Sequence, residues 1–188
     1  MLIGFAGLAG AGKNEAANAL PYETIAFADP LKNLVEKLDP FVSFHPASGM
    51  IRLSDLRKYE SFELIKRYSP ELRRLLQELG VNIRNLDPDF WVKALNAKIG
   101  EWENEDPAWS PRGIMDHYCV PDVRFQNEVD YVKRDGFVIW IERPGVEQGP
   151  HISENSVTAE DCDGYVLNDG TVEELHEKVR AELKALCE

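Results

Sequence analysis

A chain of 188 residues, 44% hydrophobic and 29% charged, has the size and composition of one globular domain that buries its core without staples. A formal net charge of −12 sets most of its surface against nucleic acid and anionic membranes, so neither is an expected partner. Cys119, Cys162 and Cys187 are odd in number and widely spaced, which argues against a disulfide framework or a zinc site and for a reducing cytoplasm. Met1 to Gly12 is apolar but lacks the basic start of a signal peptide and is cut short by Lys13. No stretch approaches the roughly 20 apolar residues of a membrane span, so the reading is soluble and cytoplasmic.

In chain order, "LIGFAG" reads as a buried strand and the glycine-rich turn after it opens a helix to about Leu20. "TIAFA" (Thr24 to Ala28) reads as a second strand, and Asp29-Pro30 as the N-cap and first residue of a helix. Phe41 to Tyr59 reads as irregular, with Pro46 and Gly49 as breakers. "SPELRRLLQELG" is a helix capped by Ser69 and Pro70, ended by Gly80, with Leu72, Leu75, Leu76 and Leu79 on one face. Arg73, Arg74 and Gln77 then share the opposite face. A further helix starts at Asp87-Pro88, and a polar linker follows over Glu103 to Arg112. "HYCVPD" is a strand ending at Asp122, a helix spans about Gln126 to Arg134, and "FVIWI" is another buried strand. Arg143 to Gly164 reads as a long loop or lid with one helical turn. "YVL" is a last strand, and Thr171 and Glu174 form the capping box of a closing helix. Strands alternating with helices predict an α/β domain with a mostly parallel sheet.

Gly7, Gly12 and Lys13 match the pattern G-x-x-x-x-G-K, directly after a predicted strand and opening a helix. That context lets backbone N–H groups and the helix dipole hold phosphate. Lys13 would neutralise the β- and γ-phosphates of a nucleotide. The hydroxyl expected next is replaced by Asn14, whose side-chain oxygen is acceptable to magnesium directly or through water; the alternative is a loop that binds nucleotide weakly or without catalysis. Asp122, at a strand's carboxyl end, is placed for a second metal-side carboxylate or is a simple turn residue. Arg124, Gln126 and Glu128 follow it toward the same edge. From Arg52 to Arg84, eight Lys/Arg against five Asp/Glu make a basic island of about +3, read as an anion pocket or as a solvated helix face. Arg73 and Arg74 suit phosphate and Gln77 suits a base edge, while Trp91 is a core residue or a base platform. The four histidines have neither metal nor triad spacing.

Read together, "GLAGAGKNEAA", "FADPLK", "RRLLQELGVNIR", "FWVKAL", "VPDVRFQNEVD", "ERPG", "HISE" and "LNDGTVEEL" resemble a phage-type deoxynucleoside monophosphate kinase, almost end to end. The resemblance implies a P-loop NTPase fold, three-layer α/β/α, with a mostly parallel sheet of about five strands. The chain would be one kinase domain, with a core at 1–40 and 115–188, a helical NMP-binding insert at about 41–114 and a lid at about 143–164. It implies transfer of the γ-phosphoryl of ATP to a deoxynucleoside 5′-monophosphate, with Mg2+ as the second cofactor. Gly10, Ala11, Gly12, Lys13, Asn14 and Glu15 would cradle ATP, with Asn168 and Gly170 near the adenine. Asp29, Lys32, Arg73, Arg74, Gln77, Gly80, Trp91, Asp122, Arg124 and Glu128 would serve the acceptor. Lys13, Asp122, Arg124 and Arg143 would act in the transfer, and Asn14 and Asp122 would hold the metal, partly through water. Relatives tend to carry Asp after the loop lysine, so Asn14 is a departure; another is a lid whose one basic residue is Arg143. Nucleotides are the expected partners, in a host cytoplasm if the chain is phage-encoded, and a homodimer is open. Rival readings are a dephospho-CoA kinase-like enzyme with Asp29 as base or another small-molecule P-loop kinase, and a non-catalytic nucleotide switch.

Overall fold

The protein is described by a computed structural model over residues 1–47, 49–105, 117–147 and 156–188. These fall into two compact units, one made of Met1–Phe27 with Leu95–Glu188, the other of Ala28–Ala94.

The first unit is built on an all-parallel sheet. β1 (Leu2–Ala6) is buried at all five positions, which is why its sequence is an unbroken small and apolar run. β5 (Tyr118–Val120) and β6 (Gly136–Glu142) flank it, with Leu2 opposite Tyr118 on one side and Gly136 on the other. β2 (Glu23–Thr24) and β7 (Gly164–Leu167) complete the order β2-β5-β1-β6-β7. On one face Ile3, Phe5, Ile139, Ile141 and Val166 pack with Ala16 and Ala17 of α1 (Lys13–Asn18) and Leu175, Val179 and Leu183 of α8 (Val172–Leu186). On the other, Val123, Val138 and Val132 of α7 (Gln126–Val132) close over Gly4. Three layers, α/β/α, follow from that alternation along β1. Cys119 belongs to the core, its thiol pushed up to about 12 by burial. From β1 the chain goes out to β2, returns to β5, then crosses to β6 and β7. The reversal puts the carboxyl end of β1 at the sheet's switch point, where such folds bind ligands.

The second unit is mainly helical. α2 (Asp29–Leu38) leads into an antiparallel hairpin, β3 (Phe41–His45) with β4 (Gly49–Arg52). α3 (Leu53–Arg57), α4 (Phe62–Tyr68), α5 (Pro70–Leu86) and the start of α6 (Phe90–Glu105) follow. Leu31, Val35, Val42, Leu53, Phe62, Ile65, Leu72, Leu76 and Trp91 form its interior. Ser69 fastens two elements at once: its hydroxyl donates to the Val42 carbonyl at 2.7 Å and accepts the Leu72 N–H at 3.1 Å, capping α5.

Several expectations are corrected. Phe41 to Tyr59 is a hairpin and a helix, not an irregular stretch; in β3 only Val42 is fully buried, so there was no apolar run to read. Gly80 does not end α5, which continues to Leu86. A Cβ at Gly80 would lie 3.3 Å from Leu31 Cδ2, so the glycine serves close packing of α5 on α2. "TIAFA" contributes only Thr24 to the ladder, with one further bond from Ile25 N–H to the Cys119 carbonyl at 2.9 Å. Asp29 is the first residue inside α2; the N-cap is Ala28, which has no side chain to offer the turn. The helical turn expected in the lid is a 3-10 turn, Ala159–Asp161. Residues 106–112 of the linker, 148–155 of the lid and the stretch "HISE" lie outside the described residues. No described helix is long and apolar enough to cross a membrane.

Candidate functional site

The loop from Gly7 to Gly12 leaves the carboxyl end of β1 and turns into α1 at Lys13. Ala11 N–H donates to the Leu8 carbonyl at 3.1 Å, and Ala16 N–H to the Gly12 carbonyl at 2.9 Å, so the turn and the helix start are both tied. Lys13 is only 8% exposed. Its Nζ donates to the carbonyls of Gly7 at 2.6 Å and Leu8 at 2.7 Å, which folds the ammonium back over its own loop. A preorganised cation is thereby held where the loop's backbone turns, the arrangement phosphate recognition needs. Asn14 and Glu15 are exposed on the first turn of α1, and Glu15 Oε2 lies 4.0 Å from His176 Nε2.

Asp122 follows β5, the strand beside β1. Its Oδ1 accepts the Phe27 N–H at 2.9 Å, which holds the chain as it leaves β2. Arg124 comes two residues later and is half-buried. Glu128, 2% exposed, turns back: its Oε2 accepts the N–H groups of Arg124 at 2.8 Å and Phe125 at 3.1 Å. The acidic side chain that the motif "DVRFQNE" offers thus closes the start of α7 and fixes the backbone that carries Arg124. Glu128→Ala should therefore lower stability by about 3 kcal/mol, since it strips a charged acceptor from two buried-side donors. A shifted urea midpoint is the readout, and an unchanged one would place this carboxylate's function elsewhere.

At the far side of β1, Arg143 and Pro144 after β6 and Asn168, Asp169 and Gly170 after β7 line a cavity of about 240 Å³. Asp169 pairs with Lys178 Nζ at 2.5 Å, and that ammonium also donates to the Leu167 carbonyl at 2.9 Å. Asn168, 9% exposed, donates its side-chain amide to the Ala11 carbonyl at 2.8 Å. Sequence reasoning misses Pro144, which stands beside Arg143 in the motif "ERPG" that could have found it, while Asp169 belongs to the "NDG" that the resemblance sets near the adenine.

In the helical unit, Arg74 and Gln77 are exposed on α5 as the period requires. Arg74 is gripped from both directions, by Glu71 at 2.5 and 3.1 Å and by Glu78 at 2.7 and 2.8 Å, and its guanidinium holds the Glu71 carboxyl below the usual carboxylate range. Arg73 donates to the Arg67 carbonyl at 3.1 Å. Lys32 pairs with Glu63 at 2.9 Å and lies 4.0 Å from Asp29. The basic island is therefore laced with its own carboxylates. Of the two roles open to Trp91, the geometry describes the core one: it is 5% exposed, its Nε1 donates to the Gly80 carbonyl at 3.2 Å and Phe90 meets it edge-on at 4.8 Å. Gly80 and Trp91 brace α5 against α6.

A parallel sheet whose central strand delivers a G-x-x-x-x-G-K loop at the switch point, with an acidic residue just after the neighbouring strand, defines a P-loop nucleotide-binding α/β protein. Within that class, the chain belongs to the deoxynucleotide monophosphate kinase family, whose model matches residues 58–179. The matched segment takes in Asp122, Arg124, Arg143 and Asn168 but not the loop, which stands on its own geometry. The deoxynucleotide monophosphate kinase of Enterobacteria phage T4 is 34% identical over 119 residues, 61% of this chain and 46% of its own. That of Escherichia phage RB69 is 30% identical over 137 residues, 69% of this chain and 53% of its own. A putative deoxynucleotide monophosphate kinase of Acanthamoeba polyphaga mimivirus is 28% identical over 200 aligned positions, 95% of this chain and 94% of its own. The chain spans about half the length of the two phage relatives it matches.

Proposed function

We propose that this chain transfers the γ-phosphoryl group of ATP to a deoxynucleoside 5′-monophosphate, giving the deoxynucleoside diphosphate and ADP. The observation that carries the reading is the buried Lys13 ammonium seated over the loop that ends β1, with Asp122 and Arg124 following the adjacent strand. Family membership over residues 58–179 supports the choice of acceptor class.

In this reading the loop from Gly10 to Glu15 receives the triphosphate, and Pro144, Asp169 and Gly170, in the cavity after β6 and β7, receive the adenine end. Lys32, Arg73, Arg74 and Gln77, with Asp29, serve the acceptor nucleotide. An acceptor phosphate oxygen attacks the γ-phosphorus, the bond to the β–γ bridging oxygen breaks, and ADP leaves with that oxygen. The acceptor phosphate, with a second pKa of about 6, is mostly dianionic at neutral pH and needs no general base. Positioning and charge neutralisation remain, which Lys13, Arg124 and Arg143 supply.

For Mg2+, the candidate donors are the Asn14 amide oxygen, exposed on α1, and the Asp122 carboxylate, after the strand beside β1. Among the described residues no group of three or more His, Cys, Asp or Glu could hold a metal. A pair of single-oxygen donors suits an ion that arrives with ATP and keeps several waters. Bound there it would neutralise phosphate charge.

Arg74→Ala tests the acceptor assignment. To hold a phosphate Arg74 must exchange its two carboxylates for it, so its loss should raise the KM for the monophosphate about tenfold or more and leave ATP affinity unchanged. Collapse of ATP affinity instead would undo the division of roles. The reading as a whole is tested by ADP release from ATP and magnesium, offering each dNMP, each NMP and dephospho-CoA in turn. Turnover with at least one dNMP is expected. Turnover with dephospho-CoA alone, or ATP binding with no transfer to any acceptor, would overturn it.

A further inference from the structure

The Asn168 side chain is turned toward the phosphate loop. Its Nδ2 donates to the Ala11 carbonyl at 2.8 Å, across 157 residues of sequence, and its own N–H donates to the Glu142 carbonyl at 2.7 Å. The orientation of the amide is chemically unambiguous, because its oxygen would face the carbonyl oxygen of Ala11 with no proton between them. Gly12 lies directly beneath: a Cβ there would come 2.5 Å from Asn168 Nδ2, and the residue has φ +102°. The last glycine of the motif is therefore also the gap that admits this amide.

We propose that Asn168 is a positioning residue for the phosphate-binding loop, setting the Ala11–Gly12 peptide and through it the direction of the Gly12 N–H. In a trans peptide the carbonyl and the following N–H point opposite ways, so the bond that fixes one fixes the other. The anchor is itself firm. Asn168 directly follows β7, whose Leu167 is registered on Glu142 of β6. Lys178 of α8 ties Leu167 and Asp169, and the Thr171–Glu174 capping box starts α8 two residues later, with donor distances of 2.8 and 3.2 Å. At 9% exposure the amide bond meets little competition from water, so its loss is felt in full. The edge of the sheet thus preorganises a loop that belongs to its central strand. This inference rests on ATP occupying that loop, and it assigns Asn168 to the phosphate end of the nucleotide, not to adenine.

The test is isothermal titration of the full chain with ATP and, separately, with inorganic tripolyphosphate, both with magnesium. Asn168→Ala removes the amide; Asn168→Asp keeps its shape and replaces the donor by an acceptor. Both variants should bind ATP about tenfold more weakly, and tripolyphosphate should weaken by the same factor, because only the phosphate loop is disturbed. Asn168→Asp should lose at least as much as Asn168→Ala, whereas a residue that only fills space would tolerate the isosteric change. Either variant decides alone if the other does not fold, and the KM for the monophosphate should stay at its wild-type value in both. Weaker ATP with unchanged tripolyphosphate would mean that Asn168 contacts adenine, and the inference fails while the site reading stands. Unchanged affinity for both ligands overturns it too. So does a wild-type chain that takes ATP but not tripolyphosphate, since its loop would not be preformed. A wild-type chain that binds neither overturns the loop assignment itself and this inference with it.

Discussion

Lys13→Ala will abolish phosphoryl transfer while leaving a folded protein. The ammonium it removes is the buried cation of the loop, held there by the Gly7 and Leu8 carbonyls at 2.6 and 2.7 Å. A charge held in place at low exposure stabilises the migrating phosphoryl without reorganising, and deleting such a group costs at least about a hundredfold in rate. The effect on stability is of a different order. Gly7 and Leu8 are only half-buried, so water replaces the lost donor at a cost of about 1 kcal/mol. Lys13→Arg should not rescue: a planar guanidinium is too wide for a site in which the lysine is 8% exposed. ADP release and a melting curve on the same samples check both halves. Turnover near wild type in Lys13→Ala would remove the loop from the mechanism.

What the chain discloses before folding, and what it withholds, divides along the range of the interactions. β1 and β6 are legible because strands covered on both faces must be apolar without alternation, and "LIGFA" and "FVIWI" are. The caps at Ser69 and Thr171 are legible because a hydroxyl meets an N–H three residues away. The loop is legible for the same reason: its chemistry is nearly all backbone within a few residues. The hairpin at Phe41 was not, because its inward contribution is one residue, Val42, held from a distance by Ser69. Gly80 was misread as a stop because the reason for a glycine there, Leu31 of α2, is almost fifty residues away.

The same division runs through the site. The sequence sets Glu128 with Arg124 in a polar group at the sheet's edge, and its carboxylate serves the two backbone N–H groups three and four residues earlier. Arg74 reads as a phosphate ligand or as part of a solvated helix face, and Glu71 and Glu78 stand at the two helical spacings that pair with it. Both arrangements are present in the spacing, and counting charge over the whole basic island hides the second. Asn168 was not accessible in that way at all. Nothing in "LNDG" says that its amide will meet Ala11, because only the parallel order of the sheet brings the end of β7 near the loop after β1.

Gly7→Ala should be the most damaging single change to the fold, and Gly12→Ala its informative counterpart. Both glycines have left-handed backbone, φ +136° and +102° respectively, so alanine is strained at each by about 1–3 kcal/mol. What the added methyl meets differs. At Gly7 it overlaps the carbonyl oxygen of Ile141, part of the β6 backbone paired to β1, and neither strand can withdraw without breaking the central ladder. Overpacking of that kind adds about 1–3 kcal/mol, and a total of several kcal/mol lowers the melting temperature of a chain this size by about 10 °C. At Gly12 the methyl meets the Asn168 amide, a side chain that can swing away. Gly12→Ala should therefore melt closer to wild type, set back by the strain and by one lost hydrogen bond of about 1 kcal/mol, while losing ATP affinity because the amide no longer reaches Ala11. Thermal melts and ATP titrations of the two variants separate the cases. A Gly7→Ala protein as stable as wild type would mean that β1 and β6 do not approach as described. A Gly12→Ala protein with full ATP affinity would mean that the loop is held by something other than Asn168.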